Sequence, residues 1–461
     1  MSGRSFTLGV DPSKKKLDVA LVTVEGERVE LEPSWPMSRE GFEALRGALE
    51  GRLEAGDQLV VGVEATAALD DNFLVWLQAW RAPFEVVVLR LNPAQRAKFV
   101  GPKPIRGKTD AVDARWRIAE FTRVYAAQLH AFVHDEEAQA MQRLVHERQW
   151  LGQEAAAVKN RLQDRLVICF PEFASVFAQP CGPLAQAVLG RAPTARHAAA
   201  ARESVLAAVR ARRGGPPCGP QRARCLRQAA RQSIASATAD TDAEAIRFLL
   251  TQLQQIQDRQ QALEAHLEAY ARRLQDPAPA AQAPAPDEPP APAPIPEQLR
   301  LLDSIRGVDI VGAATVVLRS GGLGRFTSAK AFAAQLGACP DRIQTGSSRD
   351  SSRLTSCGDR RTRCILYMTA QAACNFDPVF AFHKWRLIRS GRKPKQAVCA
   401  AMHRMARLMF ALVRTRRTYD VNRALEQVVI HHRKLWITFL AHAQNNRKLW
   451  KGVDEKWRKI A

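Results

Sequence analysis

Residues 275–295, QDPAPAAQAPAPDEPPAPAPI, set the first limit on what this chain can fold into. Proline lacks the amide hydrogen that helices and ladder strands use, and a Pro/Ala run has little apolar bulk to bury. The segment reads as an extended linker, so cores must form separately on either side of it. The 461 residues leave length for two or three of them.

Upstream, SFTLGVDPSKKKLDVALV (5–22) reads as two apolar strands joined by a polar turn, with Asp11 at the end of the first. QLVVGVEAT (58–66) is a further strand that ends at Glu64 and leads into an amphipathic helix. FEVVVLRLNP (84–93) is β-branched and closed by Asn92-Pro93, and helical patterning resumes near Asp110. Strands alternating with helices imply an α/β domain over residues 1–130.

Residues 131–274 read as a helical arm with an insertion. A long helical stretch covers 134–170, and apolar residues recur from Leu249 to Leu274 at alternating steps of four and three, broken only by Gln260. That spacing is a heptad seam, which implies an antiparallel coiled-coil arm. The Ala/Arg-rich insertion, 180–240, shows no clear period. Beyond the linker, 296–420 reads as almost wholly helical and 421–461 as a basic helical tail.

Charge is uneven. The net charge is +22, and between Asp341 and Ala461 there are 26 Lys and Arg against 8 Asp and Glu. Such a field attracts polyanions, of which nucleic acid is the commonest. Nine cysteines without a Cys-x-x-Cys pair argue against zinc and disulfides, and no run reaches a membrane span, so a cytoplasmic, nucleoid-associated protein is expected. His383, His403, His431 and His432 show no metal-ligand grouping.

Four carboxylates can do chemistry. Asp11 and Glu64 end strands, where the side chains of α/β sheets meet ligands. Asp110 and Asp113 stand three apart at a helix start and share a face. Converging carboxylates need a cation, and oxygen ligands suit Mg²⁺ or Mn²⁺, as in a metal-dependent nuclease. In the second half, IRGVDIVGAATV (305–316) has the form of a helix-hairpin-helix, whose turn amides can hold a phosphate. Arg342, Arg349, Arg353, Arg360, Arg361 and Arg363 follow as candidate phosphate ligands.

The blocks GVDPSKKKLDVALV, VGVEAT, LNPAQRAKF and KTDAVDARWRIAEF, with LRLLDSIRGVDIVGAATVVLRSGGLGRFTSAKAFAAQLGACP and LTSCGDRRTRCILYMTAQAA, resemble the DEDD transposases of the insertion sequence 110 family. The resemblance spans about 1–130 and 297–420. It implies a ribonuclease-H-like (RuvC-like) N-terminal domain with Asp11, Glu64, Asp110 and Asp113 as a metal-binding tetrad. It also implies a mostly α-helical C-terminal domain supplying a nucleophilic serine, with the two domains combining across protomers of a homodimer or homotetramer. Target and donor DNA, chosen by a structured bridge RNA, are the implied partners.

At the nucleophile the chain departs from the family. After GACP (337–340), the residue ahead of glycine is Thr345, and Ser347 and Ser348 come after Gly346. Thr345 as nucleophile, Ser347 as its replacement, and an inactive copy all fit the sequence, with Ser351 and Ser352 as surface turn residues. Two other functions remain open: a junction nuclease without a covalent intermediate, and a non-catalytic nucleic-acid-binding derivative.

Overall fold

The computed structural model describes residues 3–66, 69–91, 93, 99, 110–129, 131–132, 135–236, 239–272, 293–345, 349–354, 358–444 and 455–458, with backbone alone for 110–114, 128, 340–345, 349–353, 456 and 458. The chain divides into two compact units. One joins Met1–Ala140 to Gln282–Ala461, and the other is Met141–Ala281.

A mixed sheet forms the amino-terminal part. β1 (Ser5–Pro12) lies between β2 (Lys16–Thr23), which is antiparallel to it, and β5 (Gln58–Glu64), which is parallel; β6 (Glu85–Leu91) extends the sheet beyond β5. The short β3 (Arg28–Val29) and β4 (Ser34–Pro36) both pair with β2. Alternation along these strands supplies two apolar faces. Leu8, Val10, Leu17, Val19, Leu21, Val61 and Val63 pack against α1 (Arg39–Glu50) and α2 (Asp71–Ala79). α1 starts where the Ser38 hydroxyl accepts from the Gly41 amide, and it buries Phe42, Leu45 and Leu49 on one stripe. The other face takes α3 (Asp110–Tyr125), whose Ile118 and Phe121 meet Leu89 and Leu91 while Ala119 meets Ala20 and Val22.

The second unit is built on two long antiparallel helices, α4 (Glu136–Cys169) and the later α10 (Asp240–Arg272). Ion pairs fix their direction: Arg148 with Glu264 at 2.7 Å, Arg259 with Glu147 at 2.8 Å and Arg165 with Asp242 at 3.4 Å. Leu249, Leu253, Leu263, Leu267 and Tyr270 of the heptad seam are buried. The stretch without a period folds into five short helices, α5 (Phe173–Val176), α6 (Pro183–Arg191), α7 (Ala195–Ala200), α8 (Glu203–Ala208) and α9 (Pro220–Arg231). Their Phe173, Val188, Leu189, Leu206 and Leu226 share one core with Leu162, Leu166, Leu250 and Leu253 of the long helices. Of the Pro/Ala linker, only 293–295 lie within the described residues.

The carboxyl-terminal part is helical apart from one hairpin. Its helices are α11 (Ile295–Asp303), α12 (Ile310–Arg319), α13 (Ala329–Gln335), α14 (Arg360–Phe376), α15 (Pro378–Arg389), α16 (Pro394–Thr415), α17 (Val421–Ala443) and α18 (Glu455–Arg458). Asp309, Ser328, Asp359, Asp377 and Asp420 each accept first-turn amides, which explains why these helices begin where they do. α16 buries Ala401, Met402, Met405, Ala406 and Met409, a stripe at helical spacing. The basic tail is part of this core: Trp436, Phe439 and Leu440 of α17 pack with Val379 and Phe382 of α15 and with Trp457.

Two expectations change here. Ser351 and Ser352 are not turn residues; they lie in β8 (Arg349–Leu354), paired with Ile343 and Arg342 of β7 (Pro340–Thr345). The glycines of the 305–316 turn serve packing. Gly307 adopts φ +94°, and a Cβ there would lie 2.5 Å from the Ala373 amide nitrogen. The Gly312 amide donates to Asp309 at 2.7 Å, so a carboxylate already stands where that amide would meet a phosphate. Among the described residues no helix is long and apolar enough to cross a membrane.

Candidate active site

Two glycines determine how α3 lies on the sheet. A Cβ on Gly9 would come within 2.3 Å of the Ala119 nitrogen and 2.6 Å of the Arg115 carbonyl oxygen, and one on Gly62 within 1.9 Å of Thr122 Oγ1. Only glycine at the two positions leaves room for the helix backbone at Arg115 and Ala119 and for the Thr122 side chain. The helix runs back along β1. Arg123 donates to the Val24 carbonyl at 2.9 Å, just past the end of β2, where Thr23 pairs with Phe6. Arg115 donates at 3.1 Å to the Pro33 carbonyl, which also accepts from Val19, the partner of Val10. The first turn of α3, with Asp110 and Asp113 in its backbone, therefore lies toward the carboxyl ends of β1 and β5.

Those strand ends carry the other acids. Val10 pairs with Val63, so one step further Asp11 and Glu64 stand side by side, on the face that carries Gly9 and Gly62. Glu64 is buried and Asp11 half-buried. Neighbouring strands lie roughly 4.8 Å apart, so two carboxylates here repel unless a cation joins them. A third acid went unread in the sequence: Asp18 pairs with Asp11 across the β1–β2 ladder, with Lys16 Nζ 3.0 Å from its Oδ1. The short turn between the two strands was the signal, because an antiparallel pair closed there must set Asp11 opposite Asp18. Among the described residues no three His, Cys, Asp or Glu side chains form a metal group. The oxygen donors of Asp11, Glu64 and Asp18, on three adjacent strands and one face, are the hard type that a divalent Mg²⁺ or Mn²⁺ ion takes.

The opposite face braces the loop after Glu64. Asp70 is fully buried, forms an ion pair with Arg90, whose Nε is 2.6 Å from its Oδ2, and accepts from the Thr66 amide at 3.3 Å. Arg90 also holds Asp71 at 3.1 Å, tying β6 to the start of α2.

In the carboxyl-terminal part the β7–β8 register pairs Thr345 with Arg349 and leaves 346–348 between them, so Thr345 is the last paired residue before the hairpin tip. Arg342 and Arg353 lie further down the ladder, opposite Ser352 and Asp341. Ser347 lies outside the described residues. Glycines close the feet of the hairpin: a Cβ on Gly358 would lie 2.6 Å from both the Gly337 nitrogen and the Gln335 carbonyl oxygen. His403 Nδ1 is 3.2 Å from the Ala338 carbonyl oxygen. Asp359 follows, capping α14 through the amides of Arg361 and Thr362 and bonded by the Arg319 guanidinium of α12. Burial alone would raise the Asp359 pKa; the hydrogen bonds from Arg319 and Thr362 outweigh it and hold the carboxyl at about 2. Arg360 and Arg361 are exposed on the first turn of α14, where the helix dipole adds to their charge, and Arg363 is half-buried beside them.

Family comparison covers segments of both halves of the chain. Residues 8–171 match the DEDD transposase profile of IS110, described as Transposase, and 299–384 match the Transposase IS116/IS110/IS902 family. The chain belongs to the IS110 family of transposases. The first match contains all four tetrad positions and continues along α4, beyond the end of the α/β part; the second contains the whole β7–β8 hairpin. No curated protein matches the transposase. Its membership of this family makes it a DNA transposase, an enzyme of DNA recombination.

Proposed function

We propose that this transposase cuts and rejoins DNA through a covalent protein–DNA intermediate at a ribonuclease-H-like site. The observation that carries the reading is the strand register, which sets Asp11 beside Glu64 on the face covered by α3. Asp11, Glu64, Asp110 and Asp113 would hold Mg²⁺ or Mn²⁺. When bound, the metal neutralises charge on the transferring phosphoryl group and lowers the pKa of an attacking hydroxyl. The sheet order β3-β2-β1-β5-β6, with helices on both faces, supports the ribonuclease-H-like assignment.

The hydroxyl is that of Thr345, with Ser347 as the alternative. A threonine suits the position, since β-branched residues fit strands and the register holds its backbone at the neck of the hairpin. In the step, the side-chain oxygen bonds to phosphorus as the bond from phosphorus to a deoxyribose oxygen breaks. The hydroxyl proton is lost and the departing DNA oxygen takes one up. One phosphate ester replaces another, so a second DNA hydroxyl can reverse the exchange and join new ends without an outside energy source. Arg342, Arg349, Arg353, Arg360, Arg361 and Arg363 would hold backbone phosphates. Site choice by a base-paired guide RNA fits a protein whose basic excess suits backbone contacts, and the arm α4–α10 would assemble the multimer as a coiled coil.

The test is to trap the adduct on DNA carrying the element's ends, with Mg²⁺ and RNA transcribed from its flank, and to map the modified residue by mass spectrometry. The reading expects an adduct at Thr345 or Ser347 that Asp11→Ala abolishes. DNA cleavage that survives loss of both hydroxyls would make the enzyme a metal nuclease without a covalent step.

A further inference from the structure

At the foot of the β7–β8 hairpin lies a cavity of about 1200 Å³ that the reaction above does not use. Ala338, two residues before β7, and Leu354, the last residue of β8, both line it, so the hairpin stands on its edge. It exceeds the roughly 300–1000 Å³ typical of small-molecule pockets. Its chemistry is divided. Val379, Phe380, Leu387, Leu408 and Phe410 give an apolar wall, while Arg392, Lys393, Lys395, Arg404 and Arg407 supply cations. No Asp or Glu side chain is among the described residues that line it.

Two histidines line the cavity and offer ring nitrogens to a partner. Burial, with Arg404 and Arg386 nearby, pulls the half-buried His383 down to about 4, so near pH 7 its ring is neutral and offers one donor and one acceptor. His403 faces the Ala338 carbonyl through Nδ1, and because a carbonyl only accepts, Nδ1 must carry the proton. Gln396 adds a further polar group that can meet an uncharged edge. Burial is the main cause that lowers the Arg404 pKa; Arg386 and Arg407 add to it, while Tyr419 and Asp377 oppose it.

We propose that this cavity receives one unstacked nucleotide of the nucleic acid bound for recombination, its base against the apolar wall and its phosphates on the Arg/Lys rim. Anionic groups joined to a flat, mostly apolar ring with a polar edge match all three parts of the lining. Single-stranded nucleic acids are commonly read in this way, with bases splayed out onto side chains. Placed at the base of the hairpin, the pocket would fix the register of the strand running toward Thr345. The proposal rests on the reading of that hairpin as the carrier of the reacting hydroxyl, and on the bound strand being DNA or RNA.

The experiment places 2-aminopurine at successive positions of DNA carrying the element's ends and, separately, of RNA transcribed from its flank. Fluorescence is read on binding to the Asp11→Ala transposase, which leaves the DNA uncut. The expected result is a change at one position, in one of the two nucleic acids, of several-fold and unlike its neighbours. Ala400→Trp and Leu408→Trp, each filling the cavity, should abolish that change with thermal melting preserved in at least one of them. Arg404→Ala and Arg407→Ala should each lower the salt slope of binding by about one. With adduct formation assayed on the parent transposase, a position-specific signal without any covalent adduct would keep the pocket and overturn the covalent reading. An adduct on the parent while no position in either nucleic acid responds, or a signal untouched by both tryptophans, overturns the pocket.

Discussion

Asp359 ties the hairpin's support together, because one carboxylate caps α14 and receives Arg319 from α12. Its folded pKa of about 2 lies below the ordinary value of 3.8, so the folded state holds this proton more weakly than the unfolded chain does. The stabilisation is therefore full above about pH 4 and fades as pH falls toward 2. Asp57 works in the same window, held at about 2 chiefly by Arg4 and also by the Glu54 amide. Asp359→Asn keeps a good cap but loses the charge. It should cost roughly 2 kcal/mol at pH 7 and converge on the parent below pH 2, as read by urea unfolding across pH. A constant difference down to pH 2 would assign the loss to packing instead. The acids of the candidate site were legible at the same scale: Asp11 and Glu64 end apolar runs, a pattern visible in one dimension. Asp18 was missed because it lies inside its strand, and only the pairing of two strands makes it Asp11's neighbour.

Among the elements, legibility followed the strength of the hydrophobic period. β1, β2, β5 and β6 are apolar runs, and α4 and α10, each more than thirty residues long, carry a period along much of that length, so all stood out. The five helices between α4 and α10 are 4 to 12 residues long, too short to show a face, and they are fixed by a shared core that no single window contains. β7 and β8, PDRIQT and RDSSRL, have almost no apolar alternation, so neither showed as a strand and Ser351 and Ser352 read as turn residues. The tail was legible as helix but not as core. Its charge is conspicuous, whereas Trp457 is only 4% exposed and donates to Asn422 at 3.0 Å, closing α18 over α17. Trp457→Ala should cost roughly 3 kcal/mol by opening a cavity beside Trp436 and Phe439, measured as a lowered melting temperature. An unchanged melting temperature would mean that α18 contributes charge alone.

At the scale of the molecule, the α/β part and the hairpin belong to one compact unit although the arm separates them in sequence. The family resemblance implies that carboxylates of one protomer act with the hydroxyl of another, and mixing two inactive variants decides between the arrangements. Asp11→Ala removes a metal ligand; Thr345→Ala with Ser347→Ala removes both candidate hydroxyls. If each site lies within one protomer, every protomer in the mixture has one defect and nothing reacts. If sites form between protomers, a mixed dimer has one site with both defects and one with neither, and the intact site works. Mixing the variants in equal amounts before adding DNA should then restore adduct formation to roughly a quarter of the parent level, since about half of randomly assembled dimers are mixed and each has one good site of two. Adduct found only on chains with an intact Thr345, which are the Asp11→Ala chains, would identify the donor of the hydroxyl. No recovery, in a mixture shown by light scattering to exchange subunits, would confine the whole reaction to one protomer and leave the arm a role in assembly alone.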